Sequence, residues 1–267
     1  MILDRFRLDG RTALVTGARR GIGKALAVAL AEAGADIVGT SAEMEAAGSA
    51  VEREVLACGR RFWGYRCDLA KRAEVYAFIA RVKAECPPVD ILINNAGTGT
   101  SETIMDAPDE KWNHFWDLHV MAAVRLSRAL VPLMRKRGGG VILNTASICA
   151  KQPLGYEPIY NTTKAALVMF SKCLSNELIR DNIRVNAVNP GLILTPDWKK
   201  TAGLLTQGTS TTVDEYLDKI AKDNAPIGRF ATPEELAHFY VFLCSPRSSY
   251  CVGSSYYVDG GWLKTVE

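Results

Sequence analysis

Short apolar runs alternate along this chain with longer stretches in which apolar residues return at helical spacing. The runs at 12–16, 36–40, 62–66, 89–94, 141–145, 183–188 and 254–258 read as strands. The stretches at 21–33, 43–57, 71–85, 109–137 and 158–180 read as helices. Punctuation supports these limits. Gly34 closes the first helix, Pro87 and Pro88 stop the third, and Gly138-Gly139-Gly140 ends the long one. Thr232-Pro233-Glu234-Glu235 marks another helix start, with Thr as cap, Pro at the first helical position and Glu at the third. Seven strands separated by helices require right-handed crossovers and a parallel sheet covered on both faces, and the strands are continuously apolar, as that burial demands. The expected fold is therefore α/β, a doubly wound parallel sheet, with residues 1–267 forming one domain. Only the stretch 195–225 breaks the rhythm. It is polar, carries TQGTSTT, and reads as a mobile lid with one or two short helices.

Composition narrows the partners. The formal net charge is +3, with no basic stripe interleaved with aromatics, so nucleic acid is not expected. No apolar run approaches the ~18 residues of a membrane span, and the opening MILDRFRLDG is too polar for a secretory signal. The seven cysteines (58, 67, 86, 149, 173, 244 and 251) form no CxxC pair and read as reduced thiols of a cytoplasmic protein. His114 and His119 have the wrong spacing for a zinc motif, so no metal is expected.

Two constellations carry chemistry. The first strand runs into Thr16-Gly17-Ala18-Arg19-Arg20-Gly21-Ile22-Gly23, and a helix follows. Glycines at such a turn let backbone approach a pyrophosphate, whose charge the helix N-terminus favours. The second constellation is Ser147, Tyr160 and Lys164. Tyr160 and Lys164 are i,i+4 on a predicted helix, so they share a face one turn apart. A phenol ordinarily titrates near ~10, and a fixed cation beside it is expected to lower that value. A hydroxyl, a phenol and an ammonium are the parts needed to move a proton on or off a carbinol oxygen.

The GxxxGxG spacing, Asn94-Asn95-Ala96-Gly97 after the fourth strand, and the Ser147/Tyr160/Lys164 trio resemble the short-chain dehydrogenase/reductase family. Asp68, Asn189-Pro190-Gly191, Thr195 and Val258-Asp259-Gly260-Gly261 extend the likeness over nearly the whole chain. The overall look is similar to 3-oxoacyl-carrier-protein reductases and to sugar or polyol dehydrogenases. The resemblance implies a Rossmann-type fold and hydride transfer between a nicotinamide and a secondary alcohol or ketone. Tyr160 would exchange the proton, Ser147 would polarise the oxygen, and Lys164 would hold the nicotinamide ribose. It implies a cofactor lined by Gly17, Arg19, Arg20, Gly21, Ile22, Gly23, Ser41, Asp68, Leu69, Asn95, Ala96, Gly97, Pro190, Gly191, Ile193 and Thr195, together with Tyr160 and Lys164. A homotetramer, or a dimer, is implied through the 109–137 and Tyr160 helices.

No acid stands at Gly39-Thr40-Ser41-Ala42, where a ribose-binding carboxylate is expected, and Arg19 and Arg20 offer guanidinium to a phosphate. NADP(H) is therefore favoured over NAD(H), a preference that Glu43 or Glu45 reaching back would weaken. The family's usual Asn on the long helix is His119 here. His119 holds the same proton-relay water, or only packs, or meets an acidic substrate as imidazolium. Cys149, Gln152, Tyr156, Leu192 and Trp198 are placed to face a small-molecule substrate. The alternative to an enzyme is a cofactor-binding sensor or scaffold without turnover.

Overall fold

The computed structural model describes residues 1–265. Seven strands form one parallel sheet: β1 (Thr12–Thr16), β2 (Asp36–Ser41), β3 (Phe62–Arg66), β4 (Ile91–Asn94), β5 (Gly140–Thr145), β6 (Ile183–Pro190) and β7 (Ser255–Val258), in the order β3-β2-β1-β4-β5-β6-β7. The fold is the expected Rossmann-type doubly wound sheet. Register pairs Leu14 with Val38 and Leu92, and Leu92 with Ile142. The sheet side bearing these residues packs on α3 (Arg72–Glu85) and α5 (Ala122–Lys136) through Val75, Phe78, Leu126, Leu130 and Met134. Its other side, with Ala13, Val15, Ile37 and Ile93, packs on α1 (Gly21–Glu32) and α9 (Pro233–Cys244) through Leu26, Leu30, Leu236 and Tyr240. Each fully buried Leu or Ile contributes about 1.5–3 kcal/mol, which explains why central strands carry apolar residues at consecutive positions.

Two element limits differ from the sequence reading. Residues 43–49 are not helical; α2 begins at Ala50 and ends at Ala57. Gly48 adopts φ +72°, and Ser49 then caps the helix by accepting from Glu52 N, so the start is set by the capping box. The long helix is three pieces: α4 (Asp109–Trp116), a π-helical turn (Asp117–Met121) and α5. The 195–225 stretch holds α7 (Pro196–Thr206) and α8 (Val213–Asn224), capped by Thr195 and Thr212. α6 (Pro158–Leu178) lies against β6 and β5. Thr232 caps α9 with a complete capping box. Among the described residues, no helix is long and apolar enough to cross a membrane.

The strand order reverses beside β1: β2 and β3 lie on one side, β4 to β7 on the other. In open α/β sheets this switch point opens a crevice at the carboxyl ends of the strands, where ligands sit.

Candidate active site

The crevice begins where β1 ends. Gly17 has φ +68°, and a Cβ there would come 3.1 Å from Ala96 Cα. A Cβ on Gly23 would stand 2.0 Å from the Gly17 carbonyl oxygen, so this turn closes onto α1 only with glycine. Thr16 ties the turn to the next strand's loop. Its Oγ1 accepts from Asn95 N (2.8 Å) and Ala96 N (2.9 Å), and its carbonyl accepts from Asn95 Nδ2 (3.0 Å). Gly21 lies 3.6 Å, by the same measure, from Thr195 and Pro196 at the head of α7. Ile22 packs on the core below the turn.

At the loops around this crevice, Ser41 Oγ accepts from Glu43 N (3.4 Å), Asp68 accepts from Ala70 N (3.0 Å) and Leu69 is buried. Across the sheet, Pro190 ends β6, and Gly191 N donates to Val258 O (3.1 Å). Ile193 bridges to Ala231, and Thr195 caps α7. The predicted cofactor residues thus gather along one edge of the sheet, with the glycine turn at the switch point.

The arginines do not stand as expected. Arg19 Nε donates to Glu45 (3.0 Å), and Nη1 lies 3.5 Å from Glu43. Arg20 pairs with Asp197 of α7 at 2.9 Å. Both guanidiniums already have carboxylate partners, so the two acids do reach back and the charge argument for a 2′-phosphate is weaker than the sequence implied.

The second constellation assembles on α6. Asn94 Nδ2 donates to Asn144 Oδ1 (2.7 Å), Asn144 Nδ2 to Ser171 Oγ (2.8 Å), and Ser171 Oγ to Leu167 O (2.7 Å). This buried chain fixes α6 against β4 and β5. Lys164 Nζ donates to Thr145 O (2.8 Å) and lies 5.3 Å from the Tyr160 ring centre. Ser147, at the end of β5, accepts from Cys149 N (3.2 Å) and acts on the Tyr160 hydroxyl, whose proton affinity it lowers. The trio is therefore contiguous and set below the surface: Ser147 and Lys164 are buried and Tyr160 half-buried.

The expectation that lysine acidifies the phenol is corrected here. Burial pushes Tyr160 above its ordinary value, and only the Ser147 hydrogen bond opposes it. Burial likewise lowers Lys164 to about 8. Its ammonium donates to the Thr145 carbonyl and lies 5.3 Å from the ring centre. In the chain alone the phenol is neutral at physiological pH, and it holds a proton to give.

His119 lies in the π-helical turn, a common site for functional irregularity. It is buried, with Nδ1 2.8 Å from Thr163 Oγ1, while Thr98 N donates to Nε2 (3.4 Å). Thr163 Oγ1 gives its own proton to Tyr160 O (3.0 Å). It must then accept from Nδ1–H, which leaves Nε2 as the acceptor. Burial first, then Lys164, drives this histidine well below its ordinary value, so the imidazolium reading does not hold. A Cβ on Gly97 would meet His119 Nε2 at 3.1 Å and Lys164 Nζ at 3.4 Å. The two nitrogens thus face one small space that Gly97 keeps open.

On the substrate side, Cys149, Leu192, Ala221 and Trp262 form a buried cluster against which Tyr160, Trp198 and Phe230 pack. α7 and α8 therefore rest on the segment carrying Ser147. Gln152 accepts from Lys264 N (3.2 Å), which makes it a structural tie. Tyr156 is 54 % exposed, at the rim. Sequence reasoning missed Thr16, Thr163 and Glu157. Only Glu157 carried a sequence signal, an acid three residues before Tyr160.

A family model described as enoyl-(acyl carrier protein) reductase matches residues 17–263. The chain belongs to the short-chain dehydrogenase/reductase family. It is 40 % identical over 262 residues to a 2-dehydro-3-deoxy-D-gluconate 5-dehydrogenase of Pseudoalteromonas atlantica, covering 98 % of this chain and 99 % of that one. It is 33 % identical to a 7alpha-hydroxysteroid dehydrogenase of Escherichia coli, covering 98 % of each. Among solved structures, L-sorbose reductase from Gluconobacter frateurii, complexed with NADPH and L-sorbose, superposes with a TM-score of 0.92 at 53 % identity, covering 98 % of this chain and 100 % of that one. As a member of this family the chain is a nicotinamide-dependent oxidoreductase. The named relatives are enzymes, and none supports a scaffold without turnover.

Proposed function

We propose that this enzyme reduces the carbonyl of a small polyhydroxylated ketone, a sugar or sugar-like compound, to a secondary alcohol with NADPH. The single observation that carries the reading is the buried contiguity of Ser147, Tyr160, Lys164 and His119 beside the glycine turn, with a phenol that keeps its proton. A neutral phenol suits reduction, since the carbonyl oxygen must gain a proton as it gains charge.

The residues present fit a dinucleotide. Gly17 and Gly23 let the turn close tightly against Asn95, Ala96 and the head of α1, and Gly97 leaves space beside His119 and Lys164. Gly17, Ile22 and Gly23 would take the pyrophosphate at the N-terminus of α1, with Asn95, Ala96, Gly97, Pro190, Gly191, Ile193 and Thr195 along the rest. When bound, the nicotinamide supplies the hydride. The chain does the remainder. Ser147 Oγ orients and polarises the substrate oxygen, and Tyr160 Oη delivers its proton there. Lys164, still largely cationic at neutrality and with one N–H on the Thr145 carbonyl, would hold the nicotinamide ribose with its remaining donors. His119, neutral and fixed by Thr163, offers Nε2 as an acceptor on the path by which Lys164 and Tyr160 are reprotonated.

NADPH as the reductant is supported by the L-sorbose reductase neighbour and by the lack of a ribose-binding acid at Gly39–Ser41, although Arg19 must leave Glu43 and Glu45 to meet a phosphate. Sugar or polyol substrates are supported by the sorbose and gluconate relatives. Seven unpaired thiols support a reducing, cytoplasmic setting. Exposed Trp116 on α4 and Met169 on α6 support assembly through these helices, as a homotetramer or dimer. The test is a panel of ketoses, sugar acids, steroids and acyl thioesters with NADPH and NADH, followed by cofactor absorbance. The expected result is ketose reduction with NADPH; turnover confined to thioesters or steroids would overturn the reading.

A further inference from the structure

Glu157 has no task in the mechanism above, yet it stands at the N-cap of α6, three residues before Tyr160. It is half-buried, and its side chain makes no capping hydrogen bond. Among the described residues no cation acts on it. Burial and the nearby Glu102 both push it up, to about 7. Glu102 has its own partners: Oε1 accepts from Thr100 Oγ1 (2.9 Å) and Ile159 N (3.3 Å), and Lys111 Nζ lies 2.7 Å from Oε2. Those donors hold Glu102 below its ordinary value, while among the described residues none donates to the Glu157 carboxyl.

Its surroundings fix where it faces. A Cβ on Gly99 would come 2.9 Å from Glu157 Oε1, so the carboxyl lies against the loop after β4. Its charge reaches Tyr160, Cys149 and Tyr156, the phenol and two residues of the substrate side. Lys199 and Lys200, on α7, are exposed. Near Tyr160 the site thus presents the Glu157 carboxyl, while the lysines of α7 are exposed.

We infer that Glu157 is the specificity-determining residue of this site, accepting a hydrogen bond from a substrate hydroxyl and selecting neutral polyhydroxylated ketones over sugar acids. This rests on the oxidoreductase reading above and deepens it. In its ionised form, which prevails above about pH 7, the carboxyl only accepts, so its partner must bring a donor, and the probes are compared above that pH. A hydroxyl does so, and the bond to a charged acceptor is short and strong. A substrate carboxylate in the same place would set two acids together, which selects against it. A ketone without hydroxyls would leave Glu157 unpaired, and sites built for a hydroxyl reject such analogues strongly.

The experiment compares kcat/KM with NADPH for three probes: a six-carbon ketose, the keto acid of the same chain length, and an unfunctionalised cyclic ketone. The wild-type enzyme is expected to favour the ketose over the keto acid by about 100-fold. Glu157→Gln keeps the volume and removes the charge. It should lower ketose kcat/KM at least about tenfold, raise that of the keto acid, and leave the plain ketone within about threefold. Gly99→Ala serves as the second variant. It displaces the carboxyl without removing it and should narrow the ketose to keto-acid ratio several-fold, deciding the matter even where Glu157→Gln does not fold. Equal losses on all three probes, or a wild-type preference for the keto acid, overturn the inference while the oxidoreductase reading stands. Wild-type enzyme inert to all three probes with either cofactor overturns that reading, and the inference falls with it.

Discussion

The floor of the site and its mouth are held together on different terms. At the floor, Ser147, Lys164 and His119 are each less than a tenth exposed, and their polar atoms answer to named neighbours: Cys149 N, Thr145 O, Thr163 Oγ1 and Thr98 N. At the mouth, Arg19, Glu43, Glu45, Arg20 and Asp197 meet as ion pairs open to water. Buried hydrogen bonds cannot be exchanged without leaving an orphaned group, which costs about 1–3 kcal/mol. Exposed ion pairs are worth about 0–1 kcal/mol and are screened by salt. The floor is therefore preorganised for one arrangement. The mouth can trade its partners, so a cofactor phosphate can take Arg19 from Glu45 at little cost.

The sharpest way to break that contrast is Tyr160→Phe. It removes one hydroxyl from the floor and nothing from the mouth. Loss of proton delivery should reduce kcat by about 10²–10⁴-fold, while NADPH affinity, read by cofactor fluorescence, should stay within about threefold. A variant keeping more than about a tenth of wild-type turnover would remove the phenol from the chemistry.

That difference also explains what could be read from the chain. Strands such as 12–16 and 62–66, the glycine turn and the Thr232 cap are local: a handful of neighbouring residues settles each. Tyr160 and Lys164 were legible for the same reason, because helical spacing places them together. Thr16 and Thr163 were not, since their hydroxyls matter only through Asn95, Ala96 and His119, which lie far along the chain. The direction in which burial moves the phenol was also illegible. Spacing reveals a cation nearby, but only the folded chain reveals that the same burial lowers the lysine and that Thr145 claims its proton. The start of α2 was missed because an apolar pattern over 43–57 runs through Gly48, whose positive φ ends the continuity. The π turn at Asp117–Met121 leaves no local mark either.

A smaller effect is expected at the mouth. Arg19→Ala should raise the KM for NADPH about tenfold, the value of one charge-assisted hydrogen bond, and leave that for NADH within about twofold. Glu45→Gln should act in the opposite sense, lowering the KM for NADPH two- to threefold, because it releases Nε of Arg19. The ratio of the two cofactors' kcat/KM is the measurement. Equal changes for NADPH and NADH would mean that Arg19 supports the loop and meets no phosphate, and the mouth would then be no freer to trade partners than the floor.

The smallest effect tests whether the floor tolerates any substitution at all. His119→Asn replaces an imidazole by an amide, which still carries one acceptor and two donors. His119 is neutral, so no charge is lost. What the site asks of this position is an acceptor facing the space shared with Lys164 Nζ and a donor to Thr163. An amide can meet either demand, though its shorter reach weakens one of them. Turnover should therefore fall by less than about tenfold, below ~1.4 kcal/mol of barrier. The melting temperature should drop by a few degrees, because the ring's contacts with Phe115 and Tyr160 are lost. A collapse of kcat far beyond tenfold, at temperatures where the variant stays folded, would show that the ring itself is required. The floor would then be stricter than its hydrogen bonds imply, and shape as well as acceptor would have to be counted in the relay.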